Sequence, residues 1–393
     1  MSYKKNVYIL LIIDFITSLF FIKVINTLYY QSKGVSLTMI GIILASYQLS
    51  KLIFEIPTGV VADKYSRKIS TIIGLILFEG YLILTYVGNN IIVLVIAAIL
   101  QGVGYTFVSG AQSAIFVDSI IKMDQKDKLS FYASISRLAG YSGLAISALV
   151  GGILASKFSY NFVYLVQIIF FALPIILMLF VKEPKIDNNN EEKLEDVTSI
   201  NVLKFIKNTP ILMYIIAINA FIAIAFIAID GYYSNYLISS GISESKTGLI
   251  MFIQQIIGAI ITIIFVNKIN DKYKFTYIKI LPIFMMVNLV ISFLLDVNIL
   301  SLIIYFIAQL TFIIITPLLF EVEHKNTPSK YRATVDSFFS ISLAIAAIIS
   351  NVIFGKFADI YGFKKVFIGL IVISIILLSV NNIIFLKNKR KTE

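Results

Sequence analysis

The sequence has no cysteine, no tryptophan, one histidine and seven prolines in 393 residues. Without cysteine there is no disulfide, thiolate metal site, iron–sulfur cluster or thiol catalysis. A single His324 excludes a multi-histidine metal site. Charge is scarce too. Only 14% of residues are Asp, Glu, Lys or Arg, where a soluble chain carries about 25%. Apolar residues make up 59%, and the mean hydropathy is +0.91. These figures exclude an ordinary soluble domain and a disordered chain. Most of the length is spent crossing lipid.

A hydrocarbon core of about 30 Å needs about 20 apolar residues in a helix. Twelve stretches meet that length. The first six are about 6–30, 36–61, 69–87, 91–121, 130–156 and 160–181. After a polar gap come about 210–238, 246–267, 276–295, 299–321, 331–356 and 363–386. The runs are continuous rather than alternating, which disfavours strands. Lys4 and Lys5 precede an apolar run that reaches about Leu28 with no small-residue cleavage site. That predicts a first span that also directs insertion, not a removed leader.

The net charge of +11 has two readings, a nucleic-acid footprint or loops that obey the positive-inside rule. The positions decide. With the N-terminus inside, 24 Lys and Arg fall on the cytoplasmic side, 6 outside and 3 within spans. The sequence therefore predicts a multi-pass protein of the cell membrane with both termini cytoplasmic. No nucleic-acid partner is needed.

The polar gap at 182–209 reads as a solvated cytoplasmic linker. It divides the chain into a six-helix bundle at 1–181 and another at 210–393. The halves echo one another. Gly152 to Tyr160 and Gly355 to Phe363 share a pattern at an offset of 203, and the same offset maps Asp118 onto Glu321. Two matches at one offset favour an internal repeat. Paired six-helix halves are a transporter architecture with the substrate site near the midplane.

The turn after span two reads Gly59-Val-Val-Ala-Asp63-Lys64-Tyr-Ser66-Arg67-Lys68. It resembles the signature loop of the major facilitator superfamily, Gly-x-x-x-Asp-(Arg/Lys)-x-Gly-Arg-(Arg/Lys). Glu55-Ile-Pro57-Thr58-Gly59, and Ser109-Gly110-Ala111 followed by Asp118, resemble a bacterial multidrug-exporter-like, drug:proton antiporter branch. Two positions depart. Ser66 stands where the loop has glycine. Span five keeps Gly143, Gly151 and Gly152 of the antiporter signature, with Ser147-Ala148 for Gly-Pro. The resemblance implies an all-α integral membrane fold of two pseudo-symmetric six-helix bundles. It also implies a latch of Gly59, Asp63, Lys64, Arg67, Lys68 and Asp118, in which Arg67 pairs with Asp118 and Gly59 permits close helix approach. The plainer reading makes the basic residues topology determinants only.

A charge at the bilayer centre costs about 2.5–3.5 kcal/mol on insertion scales and needs a partner or a wet cavity. At 1.5 Å per residue, Asp14 lies roughly 12 Å deep, Lys51 roughly 13 Å and Arg137 roughly 10 Å. Glu55 is one turn from Lys51. These four predict a buried ion-pair network in which Asp14 or Glu55 exchanges a proton. The alternative is a static network that joins helices. Glu79, Gln112, Asp230 and Gln254 are cavity candidates, with helix packing or a gate as their other readings. Asp336, which opens span eleven, reads as a helix-dipole stabiliser.

No Walker loop and no complete dinucleotide fingerprint occurs, so an enzyme, a cofactor and direct use of ATP are not expected. The sequence predicts a monomeric secondary transporter. It would export small amphipathic compounds in exchange for protons by alternating access. An importer, a lipid-linked substrate flippase and a non-transporting membrane sensor are the alternatives.

Overall fold

The computed structural model describes residues 3–184, 199–265, 269, 271–328 and 331–392. The first helices are α1 (Tyr3–Ser18), α2 (Asn26–Ser32), α3 (Leu37–Lys64), α4 (Arg67–Val87), α5 (Ile91–Ile121), α6 (Leu129–Lys157) and α7 (Tyr160–Leu179). The rest are α8 (Ser199–Asn208), α9 (Pro210–Ser239), α10 (Glu244–Phe265), α11 (Asp271–Leu294), α12 (Ile299–Lys325), α13 (Arg332–Tyr361) and α14 (Phe363–Thr392). No strand occurs among the described residues. Eleven spans among them are long and apolar enough to cross a membrane. The twelfth expected span falls on α10, and its last residues lie outside the described ones. Side chains such as Ile56, Ile92 and Ile169 are 66–79% exposed. In lipid that surface costs nothing.

Polar side chains cap the starts of several helices. The side chains of Ser36, Ser66, Asn90, Ser159 and Asn298 each accept a hydrogen bond from a backbone N–H of the first turn. That satisfies donors which lipid would leave bare.

The helices pack as two compact units. One holds α1–α7 with Leu237–Ile256, and the other holds the described chain from Ser199 to Tyr236 and from Ile257 onward. Inside the first unit, small residues bring backbones together. A Cβ on Gly74 of α4 would stand 2.6 Å from the carbonyl of Gly104 on α5, and one on Gly104 would stand 2.7 Å from that of Gly74. Close approach of this kind replaces the hydrophobic drive that lipid removes. The second unit is filled by aromatics. Phe293 and Phe354 each stack on Phe367 at 4.8 Å, and Tyr233 stacks on Tyr305 at 3.8 Å.

Two expectations are corrected. The first span is not one helix. It breaks at Leu19–Phe20, runs through a 3₁₀ turn at Phe21–Val24, and resumes as α2. A side-chain acceptor takes over at the break, because Phe21 N–H donates to Gln167 Oε1 at 2.7 Å. The Phe21 carbonyl lies so close to Gly151 of α6 that a Cβ there would collide with it. Beyond α2, Lys33 Nζ donates to the carbonyls of Thr85, Tyr86 and Gly88 at 2.6–2.8 Å. Burial there pushes the Lys33 ammonium below the usual lysine range.

The second correction concerns 182–209, which is not all linker. Residues 185–198 lie outside the described ones. Ser199–Asn208 form α8, which buries Val202 and Ile206. Their spacing of four puts both on one helix face.

Candidate functional site

The signature loop builds a charged cluster at the junction of α3 and α4. Arg67 Nη1 donates to Asp118 Oδ2 on α5 at 2.5 Å, and Arg67 Nη2 reaches Asp63 Oδ1 on α3 at 3.3 Å. One guanidinium therefore ties three helices, a task suited to its planar array of donors. Glu183, just past α7, completes the cluster. Its Oε1 accepts from Arg67 N–H at 2.6 Å and Lys68 N–H at 3.4 Å, and its Oε2 accepts from the Ser66 hydroxyl. A carboxylate thus closes the positive end of α4. Ser66 is extended (φ −169°, ψ 126°), so no glycine is required, and its hydroxyl both caps Ile69 N–H and holds Glu183. Lys68 Nζ donates to Leu179 O at 2.8 Å, and Lys64 stands over the Tyr65 ring. Asp63 is otherwise exposed. Gly59 departs from expectation, since a Cβ there would meet nothing within 4 Å.

The second unit repeats the motif with different chemistry. Glu321, which the repeat aligns with Asp118, takes Lys274 Nζ at 2.7 Å and Lys325 Nζ at 2.6 Å. Both lysines thus donate to its carboxylate on α12.

The intramembrane charges do not form the expected network. Among the described residues no ion pair joins any two of Asp14, Lys51, Glu55 and Arg137. Asp14 is held by neutral donors instead. Gln112 Nε2 donates to its Oδ1 and Ser136 Oγ to its Oδ2, both at 2.6 Å. Lys51 rests its ammonium over the rings of Tyr105 at 4.1 Å and Tyr47 at 5.4 Å. A cation over an aromatic face is partly solvated by the ring quadrupole. Glu55 and Arg137 are exposed on α3 and α6.

Asp14 opens on a cavity of about 410 Å³ lined by Thr17, Leu75, Phe78, Tyr105, Val108, Ser109, Gln112, Ser113 and Phe171. Phe78 and Phe171 stack at 4.6 Å. Gln112 Oε1 is buried with no hydrogen-bond partner among the described residues, so an acceptor is available beside the carboxylate. A mostly apolar, aromatic pocket with a few convergent polar groups is the usual form of a small-molecule site. Of the cavity candidates, Gln112 alone lines it. Glu79 lies half-buried on α4 with Oε2 lacking a partner among the described residues, Asp230 is exposed on α9, and Gln254 is half-buried on α10.

Sequence reasoning missed Ser136 and Glu183. Ser136 adjoins Arg137, but neighbours on a helix point about 100° apart. Glu183 carried no signal beyond its place in a charged segment.

The Major Facilitator Superfamily model matches residues 7–350. The chain belongs to that superfamily. It is 27% identical over 377 residues to the uncharacterized MFS-type transporter MJ1560 of Methanocaldococcus jannaschii, covering 93% of this chain and 94% of that protein. It is 25% identical over 255 residues to the quinolone resistance protein NorA of Staphylococcus aureus (strain MRSA252), covering 63% and 62%. The solved nucleoside transporter NupG superposes with a TM-score of 0.75 at 16% identity, covering 98% of this chain and 99% of that one, which establishes the fold. This superfamily member spans the membrane many times, as the eleven described spans require. Its span-five glycines face close neighbours. A Cβ on Gly143 would lie 2.6 Å from Phe15 O, and one on Gly152 would lie 2.6 Å from Glu244 O. With Ser147 in place of a kink-forming pair, α6 runs unbroken.

Proposed function

We propose that the protein is a secondary transporter of the cell membrane that exports small amphipathic organic compounds in exchange for protons. Both termini would lie in the cytoplasm, as the distribution of Lys and Arg favours. The observation that carries the reading is Asp14, a half-buried carboxylate held only by neutral donors in the lining of an aromatic cavity. A carboxylate facing a guanidinium loses an ion pair when it is protonated. Asp14 loses none. The serine hydroxyl can turn to accept from a protonated carboxyl, because a hydroxyl donates and accepts. Protonation thus exchanges one hydrogen-bond pattern for another at low cost.

In the proposed cycle, substrate entering beside Gln112 and Tyr105 displaces the proton from Asp14. Reprotonation from outside drives substrate release. Arg67, Asp63, Asp118 and Glu183 hold one conformation of the first unit between these events. The resemblance to NorA supports an amphipathic substrate.

The test uses everted membrane vesicles that contain the protein, energised and loaded with a fluorescent pH indicator. Adding a lipophilic cation such as tetraphenylphosphonium should collapse part of the proton gradient, and Asp14→Asn should remove that response. A response of opposite sign would mean import. Coupling unchanged in Asp14→Asn would overturn the assignment.

A further inference from the structure

The chain's one histidine belongs to a cluster outside the Asp14 cavity. Glu323 and His324 lie at the end of α12, and Asp336 lies in the second turn of α13. A carboxylate oxygen of Glu323, a ring nitrogen of His324 and a carboxylate oxygen of Asp336 all lie within 4.8 Å of one another.

Two independent observations give the cluster the character of a ligand set. First, Glu323 is only 4% exposed, and its Oε1 has no hydrogen-bond partner among the described residues. A buried oxygen left without a donor costs about 1–3 kcal/mol, more when charged. A cation would remove that cost, as would a proton shared with the adjacent Asp336 carboxyl. Second, His324 Nδ1 stands 3.1 Å from the carbonyl of Phe320, one turn earlier. A carbonyl only accepts, so Nδ1–H donates to it, and in the neutral ring Nε2 then presents its lone pair. This is the arrangement that fixes a metal-bound imidazole. Nε2 faces Asp336 Oδ1 at 3.9 Å, too long for a hydrogen bond. Two ligands each about 2.1 Å from one ion stand about 3–4 Å apart. Small side-chain rotations would bring all three within reach of a shared ion.

Two basic groups close to the cluster are engaged with other acceptors. Lys325 pairs with Glu321 at 2.6 Å, and Arg332 Nε donates to Thr327 O at 3.3 Å. Of the three ligands only His324 lines the neighbouring cleft of about 610 Å³, whose wall also carries Glu321, Lys325 and Arg332.

We propose that Glu323, His324 and Asp336 form a divalent-cation site that joins the end of α12 to the start of α13. Two carboxylates offset the charge of the ion, and one imidazole selects a first-row metal of the zinc or manganese class over magnesium. The site is independent of the export reading. It binds its ion whether or not Asp14 carries protons.

The experiment uses the full chain, purified in detergent, freed of any histidine tag and stripped with EDTA. Titration calorimetry with zinc, with manganese and with magnesium should show one zinc or manganese ion per chain and no saturable magnesium. Glu323→Gln, His324→Gln and Asp336→Asn should each weaken binding at least tenfold, while Asp296→Asn leaves it unchanged. If a variant does not run as a single peak in gel filtration, the wild type decides. Because the chain has one histidine, pulsed electron paramagnetic resonance on the manganese-loaded wild type should show a nitrogen coupling from His324. Absence of saturable binding, binding unchanged in the three variants, or bound manganese without a nitrogen coupling would overturn the site.

Discussion

Asp14 and Asp118 lie in the same unit and on helices of the same membrane-spanning core, yet their surroundings are opposite. Asp118 meets a guanidinium at 2.5 Å. Asp14 meets an amide and a hydroxyl, each at 2.6 Å. Protonating Asp118 breaks an ion pair and releases Arg67 from α5. Protonating Asp14 rearranges hydrogen bonds among neutral partners. The first is suited to holding a conformation and the second to cycling through protonation states. The difference shows why a count of membrane charges does not locate a coupling site. The type of partner does.

The largest effect should come from removing the titratable group. Asp14→Asn keeps the shape and both hydrogen-bonding partners, so it should leave the protein folded and lower gradient-driven transport at least tenfold, measured as substrate accumulation in everted vesicles. If Asp118→Asn gave the same loss with unchanged thermal stability, the comparison would fail. The next effect concerns the ion pair. Arg67 and Asp118 are each about one-fifth exposed in their side chains, so solvent screens them and the coupling should be about 1 kcal/mol. A double-mutant cycle with Arg67→Ala and Asp118→Asn, read by thermal unfolding in detergent, checks it. Glu183→Gln should follow, because it keeps the hydrogen bonds to Ser66 and the start of α4 but removes the charge that the helix terminus favours. A loss of about 0.3–1 kcal/mol is expected. Ser66→Gly should be smallest, a few tenths of a kcal/mol for exchanging a serine cap for glycine, with the lost hydroxyl contact to Glu183 in addition. A larger loss than Glu183→Gln would mean that the hydroxyl, not the carboxylate, organises the loop.

Much of the fold was legible because lipid imposes simple rules. Spans must be long and apolar, so eleven of the twelve expected ones are found among the described residues. Asn90 and Asn298 cap the starts of α5 and α12. The repeat was legible at Asp118 and Glu321, which both meet basic side chains. The break in the first span was not, because Leu19 and Phe20 are ordinary helix residues. The break depends on Gln167, far away in sequence.

The same limit governed the site. Depth along a helix follows from residue count, so Asp14, Lys51, Glu55 and Arg137 fell in one slab. Depth says nothing of azimuth. Glu55 and Arg137 are exposed, Lys51 turns to Tyr105, and Ser136 turns to Asp14. The loop was more legible, because its signature places Asp63, Lys64, Arg67 and Lys68 close together in the chain, and Asp118 was named with it by resemblance. Glu183 escaped it by lying more than a hundred residues away.

The central claim is that the carboxylate with neutral partners carries the proton. It is tested most directly by proton release from the purified protein in weakly buffered detergent, on addition of tetraphenylphosphonium. Wild type and Asp118→Asn should release protons in proportion to bound substrate, and Asp14→Asn should bind substrate and release none. Equal release from Asp14→Asn and wild type would contradict the account.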